Sequence, residues 1–216
     1  MNYNENQIKE KILIIDYGSQ LTELIARRIR ELDVYSEIYS YSQIKSIKNF
    51  NKYKGIILSG GPATVTKKFY PNIPEFILNM NIPILGICFG LQLIAVRFKG
   101  SVRSKNSKRE FGKAIVNEKR KSVLTRGFFQ NRKSSVWMSH QDAVSSIPKN
   151  FNLIGSTKDS KLTIIENLKK KIYGVQFHPE ASHTLRGKIL LKNFVFNICK
   201  IKYKWRVKNQ KNILIN

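Results

Sequence analysis

The first hundred residues alternate between short apolar runs and amphipathic stretches. The run "KILIIDYG" (residues 11–18) is rich in isoleucine and ends in a glycine, which is typical of a buried parallel strand. In the next stretch, apolar residues recur on one helical face: Leu21, Leu24, Ile25, Ile29 and Leu32. Strand-like "VYSEIYSY", "KGIILSGGP" and "IPILGI" then alternate with helix-like "IPEFILNM" and "GLQLIAVRF". This pattern predicts a parallel sheet covered by helices on both faces.

From Gly100 onwards the hydrophobic pattern changes. Short strand-like pieces are separated by Gly, Asn, Ser and Lys, and a helix is predicted over residues 185–200. We therefore expect one three-layer α/β domain over residues 11–200, with a mostly parallel central sheet flanked by helices and additional short strands in its second half. Residues 1–10 form a polar extension, and residues 201–216 form a basic tail or the start of a linker.

The chain is strongly basic, with 39 Lys and Arg against 14 Asp and Glu in 216 residues and a formal net charge of +25. Such a charge suggests a polyanionic partner. However, the basic residues are spread along the whole chain, and they lack the aromatic interleaving or helix-turn-helix pattern of a nucleic-acid site. We therefore interpret them as solvated surface and expect no nucleic-acid partner.

The composition also indicates the cellular compartment of the chain. No apolar run approaches the ~20 residues that span a bilayer, and residues 1–11 lack the apolar stretch of a signal peptide. Two cysteines are too few for a disulfide framework or a zinc site. These features predict a cytoplasmic chain with no membrane contact and no bound metal.

The stretch "PILGICFGLQLIA" (residues 83–95) carries the main chemical signal. Gly86 and Gly90 flank Cys88 in a G-x-nucleophile-x-G pattern, with a predicted strand before it and a predicted helix after it. In that context a sharp turn holds the nucleophile, and the start of the helix favours its thiolate form. The backbone N–H of Phe89 then points to where an oxyanion forms. The alternative is a small buried cysteine whose flanking glycines serve only packing.

A thiolate nucleophile needs a base and a group that orients the base. In "YGVQFHPEASHT", His178 follows a strand-like run, and Glu180 lies two residues further, on the same side of an extended segment. We predict that His178 carries the proton and that Glu180 holds its tautomer. His140, in "VWMSHQD", is the alternative base, but no carboxylate is placed as well beside it, so we favour a pocket role. A purely structural role for either histidine stays open.

A second glycine turn, "LSGGP" (residues 58–62), ends another predicted strand. It would bring the backbone N–H of Gly61 beside the cysteine as a second oxyanion donor, and the alternative is a plain tight turn. The turn is not a nucleotide-binding P-loop, because no G-K-[ST] follows it.

Together these motifs resemble the class I glutamine amidotransferases, in which a cysteine on such an elbow acts with the histidine and glutamate of an H-P-E sequence. The matching residues here are Cys88, His178 and Glu180. Several longer stretches, among them "DYGSQLTELIARRIRE", "KREFGKA" and "VWMSHQD", are most similar to the branch of this class that serves a purine-nucleotide synthetase. The likeness covers about residues 11–205.

The resemblance implies both a reaction and a partner. Cys88 would attack the side-chain amide of glutamine, and the N–H groups of Gly61 and Phe89 would hold the oxyanion. The positions that hold glutamine in this family match Gln92, Ser139 and His140. Ammonia would pass to an ATP pyrophosphatase domain or subunit, where ATP and Mg²⁺ drive the conversion of xanthosine monophosphate (XMP) to GMP. On this chain itself, no cofactor is expected.

Proteins of this branch in bacteria and eukaryotes continue into the synthetase, and no S-G-G-x-D-S loop opens such a domain here. Three explanations are open: a natural subunit of a two-chain enzyme, an excised domain, or the product of a shortened gene. Two other functions stay as alternatives. One is another class I amidotransferase or a γ-glutamyl hydrolase, and the other is an inactive remnant or a basic nucleic-acid-binding scaffold.

Overall fold

The computed structural model describes residues 10–104 and 110–202, and every statement below concerns those residues. The predicted polar extension over residues 1–10 and the predicted basic tail over residues 201–216 lie almost wholly outside them.

The elements of the first half follow the predicted order. They are β1 (Lys11–Asp16), α1 (Thr22–Arg30), β2 (Tyr35–Ser40), β3 (Tyr53–Leu58), α2 (Glu75–Asn79), β4 (Ile84–Ile87) and α3 (Phe89–Arg97). β1 and β3 each end two residues before a glycine, Gly18 and Gly60 respectively.

The second half contains mainly strands. They are β5 (Ser101–Ser104), β6 (Glu110–Glu118), β7 (Lys133–His140), β8 (Asp142–Ser146), β9 (Asn152–Ser156), β10 (Ile164–Asn167) and β11 (Ile172–Val175), followed by α4 (Gly187–Lys192). A π-helical segment, Asn193–Ile198, continues α4. The last helix therefore begins at Gly187 rather than at the predicted residue 185, and its winding changes at Asn193.

Within the described residues, the central sheet has nine strands in the order β2-β1-β3-β4-β11-β10-β9-β6-β7. The pairs from β2 to β11 are parallel, and the pairs from β11 to β7 are antiparallel. The predicted α/β fold with flanking helices is confirmed, and its sheet is mixed. Two further strands, β5 and β8, pair separately. The hydrophobic pattern did not indicate β5, because its residues are mostly exposed and do not alternate.

The helices cover both faces of this sheet. Alternate residues of β1 point to opposite faces, so that Ile12 and Ile14 join the apolar core beneath α1 and α4, whereas Leu13 and Ile15 join the core beneath α2 and α3. No helix among the described residues is both long enough and apolar enough to cross a membrane.

The direction of the strands determines where the site lies. Because the antiparallel steps from β11 to β9 and from β9 to β7 each reverse the chain twice, β7 runs in the same direction as β4 and β11. The carboxyl ends of β3, β4, β11 and β7 therefore lie at one edge of the sheet. This edge is where ligands bind in open α/β sheets.

Candidate active site

Cys88 occupies a strained turn between β4 and α3. Its φ of 53° and ψ of −104° are unusual for a residue with a side chain. The flanking glycines make the turn possible: a Cβ on Gly86 would lie 2.6 Å from the carbonyl oxygen of Gly90, and a Cβ on Gly90 would overlap the backbone of Leu58. The predicted strand–turn–helix elbow is therefore present, and it places the sulfur of Cys88 at the carboxyl edge of the sheet.

His178 and Glu180 form a buried pair just after β11. The Nδ1 atom of His178 lies 2.7 Å from the Oε1 atom of Glu180, and the two residues are 5% and 1% exposed. The backbone N–H of His178 donates to the carbonyl of Trp137 on β7 at 3.1 Å. Thr184 completes the attachment, because its hydroxyl donates to the carbonyl of His178 at 2.7 Å and accepts the N–H of Trp137 at 3.0 Å.

The imidazole of His178 is unusually basic. Burial acts to lower its pKa, but hydrogen bonds with Cys88 and Glu180 and the charges of the same two residues outweigh burial and raise the pKa to about 10. A histidine with this pKa is an imidazolium at neutral pH. The imidazolium faces the sulfur of Cys88 on one side and the carboxylate of Glu180 on the other, which is the arrangement that stabilises a thiolate.

The two predicted oxyanion donors, Gly61 and Phe89, line the same cavity as Cys88. Phe89 is the first residue of α3, where backbone N–H groups have no acceptor within the helix. Gly61 follows β3 in a loop that passes close to β1, and a Cβ on Gly61 would lie 2.5 Å from the carbonyl oxygen of Tyr17. Ser59 anchors the same loop, since its hydroxyl accepts the N–H of Tyr17 and its carbonyl accepts the N–H of Gly90.

A cavity of about 470 Å³ opens at this edge of the sheet, within the ~300–1,000 Å³ typical of small-molecule sites. It brings together most of the residues that the sequence predicted for the site: Gly61, Cys88, Phe89, Gln92, Ser139 and His140. Side chains that add charge or hydrogen-bonding groups to its wall are Thr64, Lys67, Ser104 and Asp142. The wall therefore carries both a basic side chain, Lys67, and an acidic one, Asp142.

The predicted glutamine-binding residues are held from β7 and β8. The side chain of Gln92 donates from Nε2 to the carbonyl of Asp142 at 2.8 Å. The carbonyl of Ser139 lies 3.8 Å from the sulfur of Cys88. His140 is buried, and neither of its ring nitrogens has a hydrogen-bond partner among the described residues. A buried imidazole of this kind at the cavity wall is available to a ligand.

His140 has a carboxylate neighbour that the sequence analysis missed. Glu110 faces His140 across the β6–β7 pair, and its Oε2 atom lies 3.3 Å from the Nε2 atom of His140 without hydrogen-bond geometry. The carboxylate of Glu110 accepts the hydroxyls of Thr157 and Ser160 instead. Burial acts to raise the pKa of Glu110, but His140 and the two hydroxyls together lower it.

Two more residues near the thiol were missed. Asp142 begins β8 and bonds Thr64 through its carboxylate, and only the polar run "SHQD" gave a signal for it. Gln176 lies two residues before His178, and its side chain reaches the sulfur of Cys88. Residues 10–104 and 110–202 contain no cluster of three or more His, Cys, Asp or Glu that could hold a metal ion. The catalytic and binding roles of all these residues stay predictions.

Comparisons with known proteins agree with this geometry. The family model for class-I glutamine amidotransferases matches residues 13–198. The chain is 46% identical over 199 residues to the glutamine-hydrolyzing GMP synthase of Brachyspira hyodysenteriae, a match that covers 92% of this chain and 38% of that protein. The match to the GMP synthase of Clostridium tetani is 48% over 200 residues, with the same coverage.

A solved structure extends the likeness to the whole fold. A Thermoplasma acidophilum protein described as one subunit of GMP synthase matches with a TM-score of 0.74 at 30% identity, covering 96% of this chain and 98% of that one. In contrast, this chain spans about 38% of the length of the curated relatives.

Proposed function

The chain belongs to the class-I glutamine amidotransferase family, and on that premise we propose that it is the glutamine-hydrolysing part of a GMP synthase. It would convert glutamine and water to glutamate and ammonia, and ammonia would pass to a synthetase. The observation that carries the proposal is the arrangement of Cys88, His178 and Glu180, in which the imidazole interacts with both the sulfur and the carboxylate, and Cys88 also lines the cavity.

In the first half-reaction, the thiolate of Cys88 attacks the side-chain amide carbon of glutamine. The electron pair of the C=O bond moves to oxygen, and the N–H groups of Gly61 and Phe89 hold the resulting oxyanion. The intermediate collapses as the C–N bond breaks, and the imidazolium of His178 gives its proton to the departing nitrogen. Ammonia leaves, and a γ-glutamyl thioester stays on Cys88.

In the second half-reaction, the neutral imidazole of His178 takes a proton from water as the water oxygen attacks the thioester carbon. The C–S bond breaks, its electron pair returns to sulfur, and glutamate leaves. Throughout, Glu180 holds the Nδ1 atom of His178, so that Nε2 is the atom that moves the proton. The thiolate–imidazolium pair is restored.

Substrate selection falls to the polar wall of the cavity. The carboxylate of Asp142 suits the α-ammonium group of glutamine, because it is the acidic side chain in that wall. His140, with its ring nitrogens free of hydrogen bonds among the described residues, and the neighbouring Ser139 would contact the remaining polar groups. This arrangement would reject amides that lack an α-amino group.

The names of the relatives support a role in GMP formation. We infer that ammonia passes to an ATP pyrophosphatase domain or subunit, where ATP and Mg²⁺ activate XMP for amination to GMP. That partner would also control the glutaminase, because unproductive hydrolysis wastes glutamine. A γ-glutamyl hydrolase, in contrast, would need no such partner.

The direct test measures glutamate release from glutamine by the purified chain and by its Cys88→Ala variant, each with and without an XMP- and ATP-loaded synthetase from a related GMP synthase. Release that depends on Cys88 and rises with the synthetase supports the proposal. Glutamate release that does not change when the synthetase is added would indicate a free-standing hydrolase. A folded chain that releases no glutamate in either condition would contradict the proposal. It would favour the alternative that the chain is an inactive scaffold.

A further inference from the structure

Gln176 lies beside the nucleophile because of strand pairing. β4 and β11 are neighbouring parallel strands, with Ile87 opposite Val175. The next residue on each strand is Cys88 on one side and Gln176 on the other. The N–H of Cys88 donates to the carbonyl of Val175 at 2.8 Å, and this bond keeps the two side chains adjacent at the carboxyl edge of the sheet.

The amide of Gln176 is buried in an unusual way. The residue is 0% exposed, its Nε2 atom lies 3.8 Å from the sulfur of Cys88, and its Oε1 atom has no hydrogen-bond partner among the described residues. Burying a primary amide with only one long contact costs free energy, and an apolar side chain of similar size would avoid this cost. Packing alone therefore does not account for a glutamine here.

The two long contacts of the sulfur act in opposite directions. The carbonyl of Ser139, also 3.8 Å away, accepts a hydrogen bond and so favours the protonated thiol. The N–H group of Gln176 donates one and so favours the thiolate, because a charged sulfur is a much stronger acceptor than a neutral thiol. Both contacts lie in a low-dielectric interior, where such hydrogen bonds are strongest.

We propose that Gln176 is a catalytic residue that donates a hydrogen bond from Nε2 to the sulfur of Cys88 whenever that sulfur is a thiolate. The bond acts twice in the cycle. It holds the attacking thiolate before acylation, and it stabilises the sulfur again when the C–S bond of the thioester breaks and its electron pair returns. The second role rests on the proposed glutaminase function, whereas the first does not.

The test compares alkylation of Cys88 by iodoacetamide across pH in the wild-type chain, Gln176→Leu and Gln176→Glu. Peptide mass spectrometry separates Cys88 from Cys199, and Gln130→Leu, an exposed glutamine to leucine change, is the matched control. We expect the pH of half-maximal alkylation to rise by about one unit in Gln176→Leu, since the bond to a charged acceptor is lost. The rise should be larger in Gln176→Glu, because a carboxylate repels the thiolate.

An unchanged midpoint in a folded Gln176→Leu chain would overturn the proposal, as would an unchanged midpoint in Gln176→Glu if the leucine variant does not fold. Glutamate release, measured in parallel, should fall about tenfold in kcat with little change in KM. If the wild-type chain releases no glutamate, the proposed function fails, but the alkylation midpoints still decide whether Gln176 supports the thiolate.

Discussion

Two histidine–glutamate pairs lie at the carboxyl edge of the sheet, and they are built differently. In the first, Nδ1 of His178 meets the carboxylate of Glu180 at 2.7 Å, and the other side of the imidazole faces Cys88. In the second, Nε2 of His140 lies 3.3 Å from Glu110 without hydrogen-bond geometry. In the first pair the carboxylate is hydrogen-bonded to the imidazole, whereas in the second it accepts hydrogen bonds from two hydroxyls.

Both imidazoles are buried beside a carboxylate, and the two pairs differ in the geometry of that contact. Glu180 directs one of its oxygens to Nδ1 of His178, and together with Cys88 it raises the pKa of that imidazole. The carboxylate of Glu110 accepts the hydroxyls of Thr157 and Ser160, and it lies 3.3 Å from Nε2 of His140 without hydrogen-bond geometry. We propose that the first pair moves a proton and that the second contacts a ligand.

The histidines themselves give the largest expected contrast. We predict that His178→Asn lowers kcat for glutamate release by about 10³-fold, because both proton transfers are lost. His140→Asn should raise KM by about tenfold and change kcat little, because only ground-state contacts to glutamine are lost. Steady-state kinetics of the two variants, which carry the same substitution, check this. Equal losses of kcat in the two variants would show that the two histidines do not differ in their roles.

The glutamates should repeat the contrast at a smaller scale. Glu180→Gln keeps the shape of the side chain but removes the charge that supports the imidazolium, and we expect a fall in kcat on the order of 10²-fold. Glu110→Gln should leave kcat within about threefold, because Glu110 does not touch the proton-transfer path. A larger loss for Glu110→Gln than for Glu180→Gln would reverse the assignment.

Glu110 should instead affect stability in acid. Its pKa is lower in the folded protein than the ordinary 4.5, so its stabilisation is present above pH 4.5 and is lost as the pH falls through the folded value. Urea unfolding of the wild-type chain should therefore show a loss of stability below pH 4.5, and Glu110→Gln should flatten this loss. Identical acid profiles for the two proteins would show that the carboxylate contributes nothing there.

The thiol of Cys88 should control the basicity of His178. Cys88→Ala removes the hydrogen bond and the charge through which Cys88 raises the pKa of His178, so this pKa should fall below its wild-type value of about 10. The chain has three histidines, so NMR titration of their ring protons can follow each one. An unchanged pKa of His178 in this variant would contradict the ion pair with Cys88.

The smallest effect is expected at Thr184, which ties His178 to β7. Thr184→Val keeps the volume but removes the hydroxyl between the carbonyl of His178 and the N–H of Trp137. Loss of the two hydrogen bonds of this hydroxyl should lower kcat by about fivefold, and Thr184→Ser should restore it. If the serine variant is as slow as the valine variant, the methyl group rather than the hydroxyl matters.

The sequence predicted the first pair and its nucleophile because their signals are local. The elbow around Cys88 needs only two glycines between a strand and a helix, and His178 and Glu180 are two residues apart on one segment. The order of elements in the parallel half was equally accessible, since β1, β3 and β4 are largely apolar runs.

The sequence could not predict the contact between the residues of the second pair or the position of Gln176, and the reason is physical. Glu110 and His140 meet only through the register of β6 and β7, and Gln176 meets Cys88 only because β11 inserts beside β4. The hydrophobic periodicity of the sequence reveals neither the register nor the order of the strands. The strand β5 was missed because it is short and exposed, and the π-helical segment after α4 changes no hydrophobic spacing that the sequence displays.

The central claim is that Cys88 forms a covalent intermediate with glutamine, assisted by His178. The most direct measurement is acid-quenched mass spectrometry of the chain after brief exposure to glutamine, with Cys88→Ala and His140→Asn in parallel. The account predicts a mass increase of one γ-glutamyl group on the Cys88 peptide of the wild type and of His140→Asn, and none in Cys88→Ala. Glutamate release without any such adduct on Cys88, or an adduct on another residue, would contradict it.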